Sequence, residues 1–329
     1  MAAVAACASA GSVQPEKGSS SPRPIGAPVA AVDDTHILYS SVPAGWRTQQ
    51  IYRMEVDGTD PVQLTFDGTV EHTWPRPSPD GSKVLFYRSA PGSSVTDVDT
   101  NNLWVMDRDG SNQRLLVADG ANGWTRQGHV EWSPDGTQLV MSAGGELKMD
   151  LVITAPDGSD PKVVTPRNVL TAIDPSWTND GSGVLFIGCP TANITCWWWE
   201  FEVFRLDLGT GSAERLTIDT FADFDPYMSP DGSTIVWLRC TGTFPVGPWS
   251  IFKGSTSRVP MSATPVVDDG NVNSSVDFSA DGRTLLFSRH VIGLTTWQSA
   301  ATVGVDGVGL GFIGGRPAPS GRGTPVFTP

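Results

Sequence analysis

Apolar residues in this chain fall in short unbroken runs, each set four to six residues after an Asp-Gly pair or its equivalent. Take Asp80, Asp135, Asp180, Asp231 and Asp281 as references. Val84, Leu139, Val184, Ile235 and Leu285 stand four on; Leu85, Val140, Leu185, Val236 and Leu286 stand five on. Phe86, Met141, Phe186, Trp237 and Phe287 stand six on. Runs of this length, bounded by turn residues, predict strands buried on both faces. The phrase before each run is SPDG (Ser78, Ser133, Ser229), TNDG (Thr178) or SADG (Ser279) and predicts a tight turn. The references are 55, 45, 51 and 50 residues apart. That period, built of short strands and Gly turns, predicts an array of propeller blades. A degenerate copy starts at Asp33, where Asp34 replaces the Gly and Ile37, Leu38 and Tyr39 form the run. It brings the copies to six.

A second turn follows each run: VDG before Thr59, RDG before Ser111, PDG before Ser159 and LGTG before Ser212, with a weaker VDG before Val308. Asp-Gly between apolar runs is a hairpin signal. The expected fold is therefore all-β: a six-bladed β-propeller with four antiparallel strands per blade, A to D. Strand A precedes the reference turn and carries Pro77, Trp132, Trp177, Met228 or Phe278 three residues before the Asp. At the C-terminus, TPVFTP (Thr324 to Pro329) repeats the strand-A phrase, with Phe327 at the aromatic place. This segment is expected to supply strand A of the first blade and close the ring, removing open sheet edges. Residues 27–32 (APVAAV) are the alternative donor.

Among 329 residues, Gly (36) and Pro (26) are abundant, as many turns require, and the net charge is −13. That charge argues against phosphate-backbone binding, so no nucleic-acid partner is expected. No later run is long and apolar enough for a transmembrane helix. VAAC (Val4 to Cys7) resembles a bacterial lipobox, although only six residues precede Cys7. The expected domains are 1–29, a truncated lipoprotein-type signal and Ser/Pro/Gly tether, and 30–329, the propeller. Lipidation at Cys7 would be the sole membrane attachment. Cys189 and Cys196 flank a hairpin loop and are the disulfide candidate in an oxidising compartment.

The copies DPSWTNDGSGVLFIG (from Asp174) and DPYMSPDGSTIVWLR (from Asp225) resemble the Pro-Asp-Gly repeats of TolB-type β-propellers, over residues 30–329. The resemblance implies the fold. For function it implies a range: periplasmic interaction modules, gating domains of peptidases and some sugar lyases.

Strand direction puts the reference turns and second turns on one face of the ring. The B–C loops and the strand-A starts lie on the other. The B–C loops are long and irregular, as binding loops on a rigid scaffold are. They carry Trp46, Trp197, Trp198, Trp199, Phe244 and Trp249, candidate partner-binding aromatics. Six residues before the references stand Trp74, His129, Asp174, Asp225 and Ser275; eight before stand His72, Gln127, Ala172, Asp223 and Asn273. His72, Trp74, His129, Asp174, Asp223 and Asp225 are therefore expected at one channel mouth. They would form a hydrogen-bonded ring, contact a polar ligand or hold a divalent cation. Arg88, Arg239 and Arg289, eight after their references, would pair with rim carboxylates or meet an anion.

No G-x-S-x-G, H-E-x-x-H or phosphate-binding Gly loop is present. The expected function is an exported, lipid-anchored, monomeric binding module on the extracytoplasmic or periplasmic side of a bacterial envelope. It would meet a protein or an envelope polymer and need no cofactor, a divalent cation excepted. The alternative is a metal-dependent lyase or hydrolase acting on a saccharide at the channel mouth.

Overall fold

A computed structural model describes residues 35–92, 101–145, 148–190, 197–242, 248–292, 299–314 and 323–328. Cys7, Cys196 and Phe244, and the side chain of Trp198, lie outside the described residues. The elements are antiparallel strands in groups of four. The first group is β1 (His36–Ser41), β2 (Gln50–Glu55) and β3 (Val62–Gln63), with a fourth member from the chain's end. The second is β4 (Glu71–Pro77), β5 (Lys83–Ser89), β6 (Asn102–Asp107) and β7 (Arg114–Val117). The third is β8 (Arg126–Trp132), β9 (Leu139–Gly145), β10 (Lys148–Thr154) and β11 (Lys162–Val163). The fourth is β12 (Val169–Trp177), β13 (Gly183–Pro190), β14 (Glu202–Asp207) and β15 (Ser212–Arg215). The fifth is β16 (Asp223–Met228), β17 (Thr234–Cys240), β18 (Trp249–Ser255) and β19 (Thr264–Val267). The last is β20 (Val272–Phe278), β21 (Thr284–His290), β22 (Ser299–Gly304) and β23 (Gly311–Phe312), joined to the fifth by one parallel bridge, Trp249 to Val272. The strand left over, β24 (Gly323–Thr328), pairs antiparallel with β1, Phe327 opposite Ile37.

Burial follows the sequence pattern. Phe86, Met141, Phe186, Trp237 and Phe287, six after their references, are all fully buried. Their side chains fill clusters formed between consecutive groups, not within one. Leu85 and Leu103 pack with Val130 and Met141 of the next group; Leu185 and Val203 pack with Ile235 and Trp237. Ile37, Tyr39 and Phe327 of the first group pack against Leu286 and Ala300 of the last. Truncating one of the large members to Ala would cost about 3–5 kcal/mol.

The reference turn is locked by its own polar groups. Ser78 Oγ donates to Asp80 Oδ1 (2.6 Å) and accepts from Lys83 N (2.9 Å), while Asp80 Oδ1 accepts from Ser82 N (3.0 Å). Ser133, Thr178, Ser229 and Ser279 repeat the same bonds. The turn Gly takes positive φ, for example 69° at Gly282, where a Cβ would stand 3.3 Å from Pro230 of the preceding turn. Gly136, Gly181, Gly232 and Gly282 each face the residue before the Asp of the preceding turn, which is Pro in three cases and Asn179 in the fourth, so consecutive turns touch. A further device lies outside the Asp-Gly pattern. Thr65, Thr165 and Thr217, just after strand D, accept through Oγ1 from the amides of Ile51, Leu151 and Val203 (2.9, 2.8 and 2.9 Å). Each ties the outermost strand to its neighbour.

Candidate functional site at the channel mouth

The inner strands β4, β8, β12, β16, β20 and β24 all carry the same irregularity. Between Thr73 and Arg76 the register slips by one residue against β5, and equivalent slips occur in the other five. One extra residue on the inner strand makes a β-bulge that re-aims a side chain. The residue at the slip is left-handed in the first five strands: φ is 55° at Trp74, 54° at His129, 50° at Asp174, 46° at Asp225 and 54° at Ser275. None is Gly, so each holds strain of about 1–3 kcal/mol. Pro75, Pro175 and Pro226 follow, where the ladder needs no amide donor.

These bulges bring His129, Asp174 and Asp225 together; one ligand-type atom from each lies within 4.8 Å of the others. His129 Nδ1 is paired with Asp174 Oδ1. The pocket around them is lined by Trp74, Glu131, Pro175 and Tyr227 and is too narrow to take a water-sized sphere. The Trp74 ring lies 4.9 Å from His129 and carries the Arg76 guanidinium at 4.5 Å. The Trp74 indole N–H is buried without a partner. One step deeper, Arg76 pairs with Glu131 and donates to the Tyr227 hydroxyl (3.0 Å), which donates to Glu131 (2.8 Å). Arg76 comes from β4, Glu131 from β8 and Tyr227 from β16, so this triad ties three inner strands together beside the pocket.

Charge in the pocket is shared. Burial opposes the His129 cation, but Asp174 and then Asp225 outweigh it and hold the imidazole above its ordinary pKa. Burial, with Asp174 beside it, raises Asp225. Burial pulls Arg76 down, but Glu131, Tyr227 and Asp277 outweigh it, so the guanidinium stays charged. The charge of the cluster therefore favours an extra proton or a cation. The pocket has no room for a small-molecule ligand, whose sites ordinarily enclose ~300 Å³ or more.

Two expected members stand elsewhere. His72 and Asp223 do not reach the mouth. The bulge residue reverses the alternation along the strand, so positions eight and four before the reference face opposite sides of the sheet. His72 is buried in the seam between the first two groups, stacked on Phe86 at 5.7 Å. Burial, then Arg88, depresses its imidazole to about 4. Asp223 is fully buried in the fourth–fifth seam, accepting from Arg239 Nε (2.7 Å) and Nη2 (2.9 Å) and from Trp237 Nε1 (3.0 Å). The three arginines pair with carboxylates: Arg88 with Asp67 (2.5 Å), Arg239 with Asp219 (2.7 Å) and Arg289 with Asp269. Asp67, Asp219 and Asp269 recur just after strand D, a spacing that could have identified them beforehand.

The loop aromatics divide. Trp46 is 38% and Trp197 51% exposed. Trp199 lies parallel beneath Trp197, ring centroids 5.1 Å apart, and Glu200 accepts from the Trp197 amide (2.9 Å), fixing the turn. Trp249 differs from expectation: it begins β18 and packs edge-on against Phe224 at 5.1 Å. Phe66 (69%) and Phe221 (44%), in the connections into strand A, are exposed on the same face and were not expected. Cys189 and Cys240 are both disulfide-bonded; the expected Cys189–Cys196 pairing falls partly outside the described residues.

No family model matches the chain. An uncharacterized protein of Agrobacterium fabrum is 33% identical over 110 residues, which span 33% of this chain and 36% of that relative. Among solved structures, TolB from Acinetobacter baumannii superposes with a TM-score of 0.68 at 16% identity, covering 90% of this chain and 67% of that one. A TolB assignment from Agrobacterium tumefaciens gives 0.63 at 16% identity, with 88% and 91% covered. An oligogalacturonate lyase in complex with manganese gives 0.50 at 13% identity, with 79% and 84% covered. The two higher-scoring likenesses establish the architecture: an all-β, TolB-like propeller fold.

Proposed function

We propose that this chain is a six-bladed propeller whose β24 closes the ring, and that it works as a monomeric binding module through its loop face and channel mouth. Six inter-group cores, one of them joining the last group to the first, support the closure. So do the contacts of β24 with both β20 and β4. In this reading residues 1–29 are a signal and tether, Cys7 is lipidated, and the propeller at 30–329 stands on the extracytoplasmic side of the envelope. Its partner is a protein or an envelope polymer.

One observation carries the binding role. Trp46, Phe66, Trp197 and Phe221, aromatics exposed by more than a third, all lie on the loop face. Exposed aromatics on fixed loops are typical partner anchors. Replacing Trp197 and Phe221 together by Ala is expected to lower recovery of the partner from the envelope fraction about tenfold or more, the weight of a hot-spot pair. Unchanged recovery would end this reading.

The convergence of His129, Asp174 and Asp225 favours a second reading, in which they hold a divalent cation and the protein acts as a lyase or hydrolase. The pocket is too narrow for a sugar ring, so in this reading the saccharide meets the cation from outside it. Metal analysis of the purified protein separates the two: a stoichiometric transition metal, lost in Asp174→Asn, would favour the enzyme.

A further inference from the structure

Three seams of the ring share one design. Each has an Arg at the end of strand B, its Asp partner after strand D, a residue eight before the reference, and a residue opening strand C. In the first–second seam these are Arg88, Asp67, His72 and Gln50; in the fifth–sixth, Arg289, Asp269, Asn273 and Ser250. There the last two positions carry no carboxylate. The fourth–fifth seam has Arg239 and Asp219 but adds Asp223 and Glu202, and one oxygen from each of these three acids lies within 4.8 Å of the others.

The charges do not balance. Arg239, on β17, is spent on Asp223 and Asp219. Glu202, on β14, is 2% exposed. Its Oε1 accepts from Arg215 Nη2 (2.7 Å), at the end of β15, and from the Asp219 amide (3.1 Å). Its Oε2 is buried without a hydrogen-bond partner. An ionised carboxylate with one oxygen orphaned beside another carboxylate is costly; a protonated one is not.

We propose that Glu202 carries a proton in the folded protein near neutral pH, and that this proton latches segment 217–222 to the loop face. The segment hangs on Glu202 through the Asp219 amide, and on Arg239 through the Asp219 carboxylate (2.7 Å). Its outer side is Phe221, whose ring lies 5.1 Å from the Arg239 guanidinium. Loss of the proton sets Glu202 against Asp223 and Asp219 and releases the segment with Phe221. Charged groups facing Glu202 are Arg215, Asp219, Asp223 and, beyond them, Arg239. Of these only the arginines favour ionisation of Glu202, and burial opposes it more strongly. Burial foremost pushes Glu202 up to about 7, with the Asp223 charge adding to it. For an acid raised in this way, the stabilisation is complete below its unfolded value and is lost as pH rises through about 7.

The inference does not need the binding reading, because its readouts lie in the free protein. Gln50 and Asn273 stand at the matching positions, so Glu202→Gln and Asp223→Asn are substitutions that this scaffold already accommodates. Carbon-13 NMR of the carboxyl groups of the full chain is expected to show one Glu titrating near 7, absent from Glu202→Gln and shifted down in Asp223→Asn. Protection of the Asp219 amide, corrected for intrinsic exchange, is expected to fall by up to about tenfold per pH unit from the ordinary Glu range up to about 7, to level off above it, and to stay flat throughout in Glu202→Gln. If every Glu titrates in the ordinary range, or if Glu202→Gln loses protection as the parent does, the latch is wrong.

Discussion

The turn face and the channel mouth are built from the same strands by opposite rules. At the turn face, each Ser or Thr and each Asp bonds within its own Pro-Asp-Gly turn, so the polar groups are spent locally. At the mouth, five non-Gly residues sit at positive φ, and an indole N–H is buried without a partner. Strain that persists in five copies at one level needs a reason beyond local stability, because the turn face shows how the same repeat satisfies itself. The two faces thus separate scaffold from candidate site within one repeat.

The sharpest break in the comparison comes at the triad beside the pocket. Arg76→Ala leaves the partly buried Glu131 carboxylate without its cation and is expected to cost about 3–5 kcal/mol in urea unfolding. A loss below about 1 kcal/mol would mean the triad is solvated. At the turn face, Ser229→Ala removes a donor to Asp231 and an acceptor for the Thr234 amide. It is expected to cost about 1–2 kcal/mol. Strain at the mouth should read out with the opposite sign. Ser275→Gly is expected to be more stable than Ser275→Ala by about 1 kcal/mol, because Ala keeps the Cβ that a left-handed backbone disfavours. Equal stability would remove the strain argument.

The faces also differ in pH response. Hydrogen bonds from Ser78 and then Ser82 hold Asp80 at about 2, and the same donors lower Asp135, Asp180, Asp231 and Asp281. For acids lowered in this way, the stabilisation is present above the unfolded value near 4 and is lost as pH falls toward 2. Acid unfolding of a Ser78→Ala variant should therefore begin from lower stability but fall less steeply than the parent's. A parallel descent would mean that the turns do not carry the effect.

Much of the scaffold was legible from order alone. Runs four to six after Asp-Gly fixed the buried strands, and Phe327 at the aromatic place located β24 beside β1. The mouth was half legible. His129, Asp174 and Asp225 were found by counting back six residues, but His72 and Asp223 were misdirected by counting back eight. The count assumed unbroken alternation, and the bulge breaks it between those two positions. Trp74 and Ser275 carry no signal of a left-handed backbone, and His129, Asp174 and Asp225 carry only the weak one of their residue types. The exposed Phe66 and Phe221 lie in connections too short to stand out as loops.

Photo-crosslinking in the producing cells tests the contrast between the faces most directly. A photoreactive residue is placed at 46, 197 or 221 on the loop face, or at 82, 137 or 233 in the reference turns. The account predicts discrete adducts from the first set and none from the second. Adducts confined to the reference turns would contradict it, and the self-satisfied face would then be the one that binds.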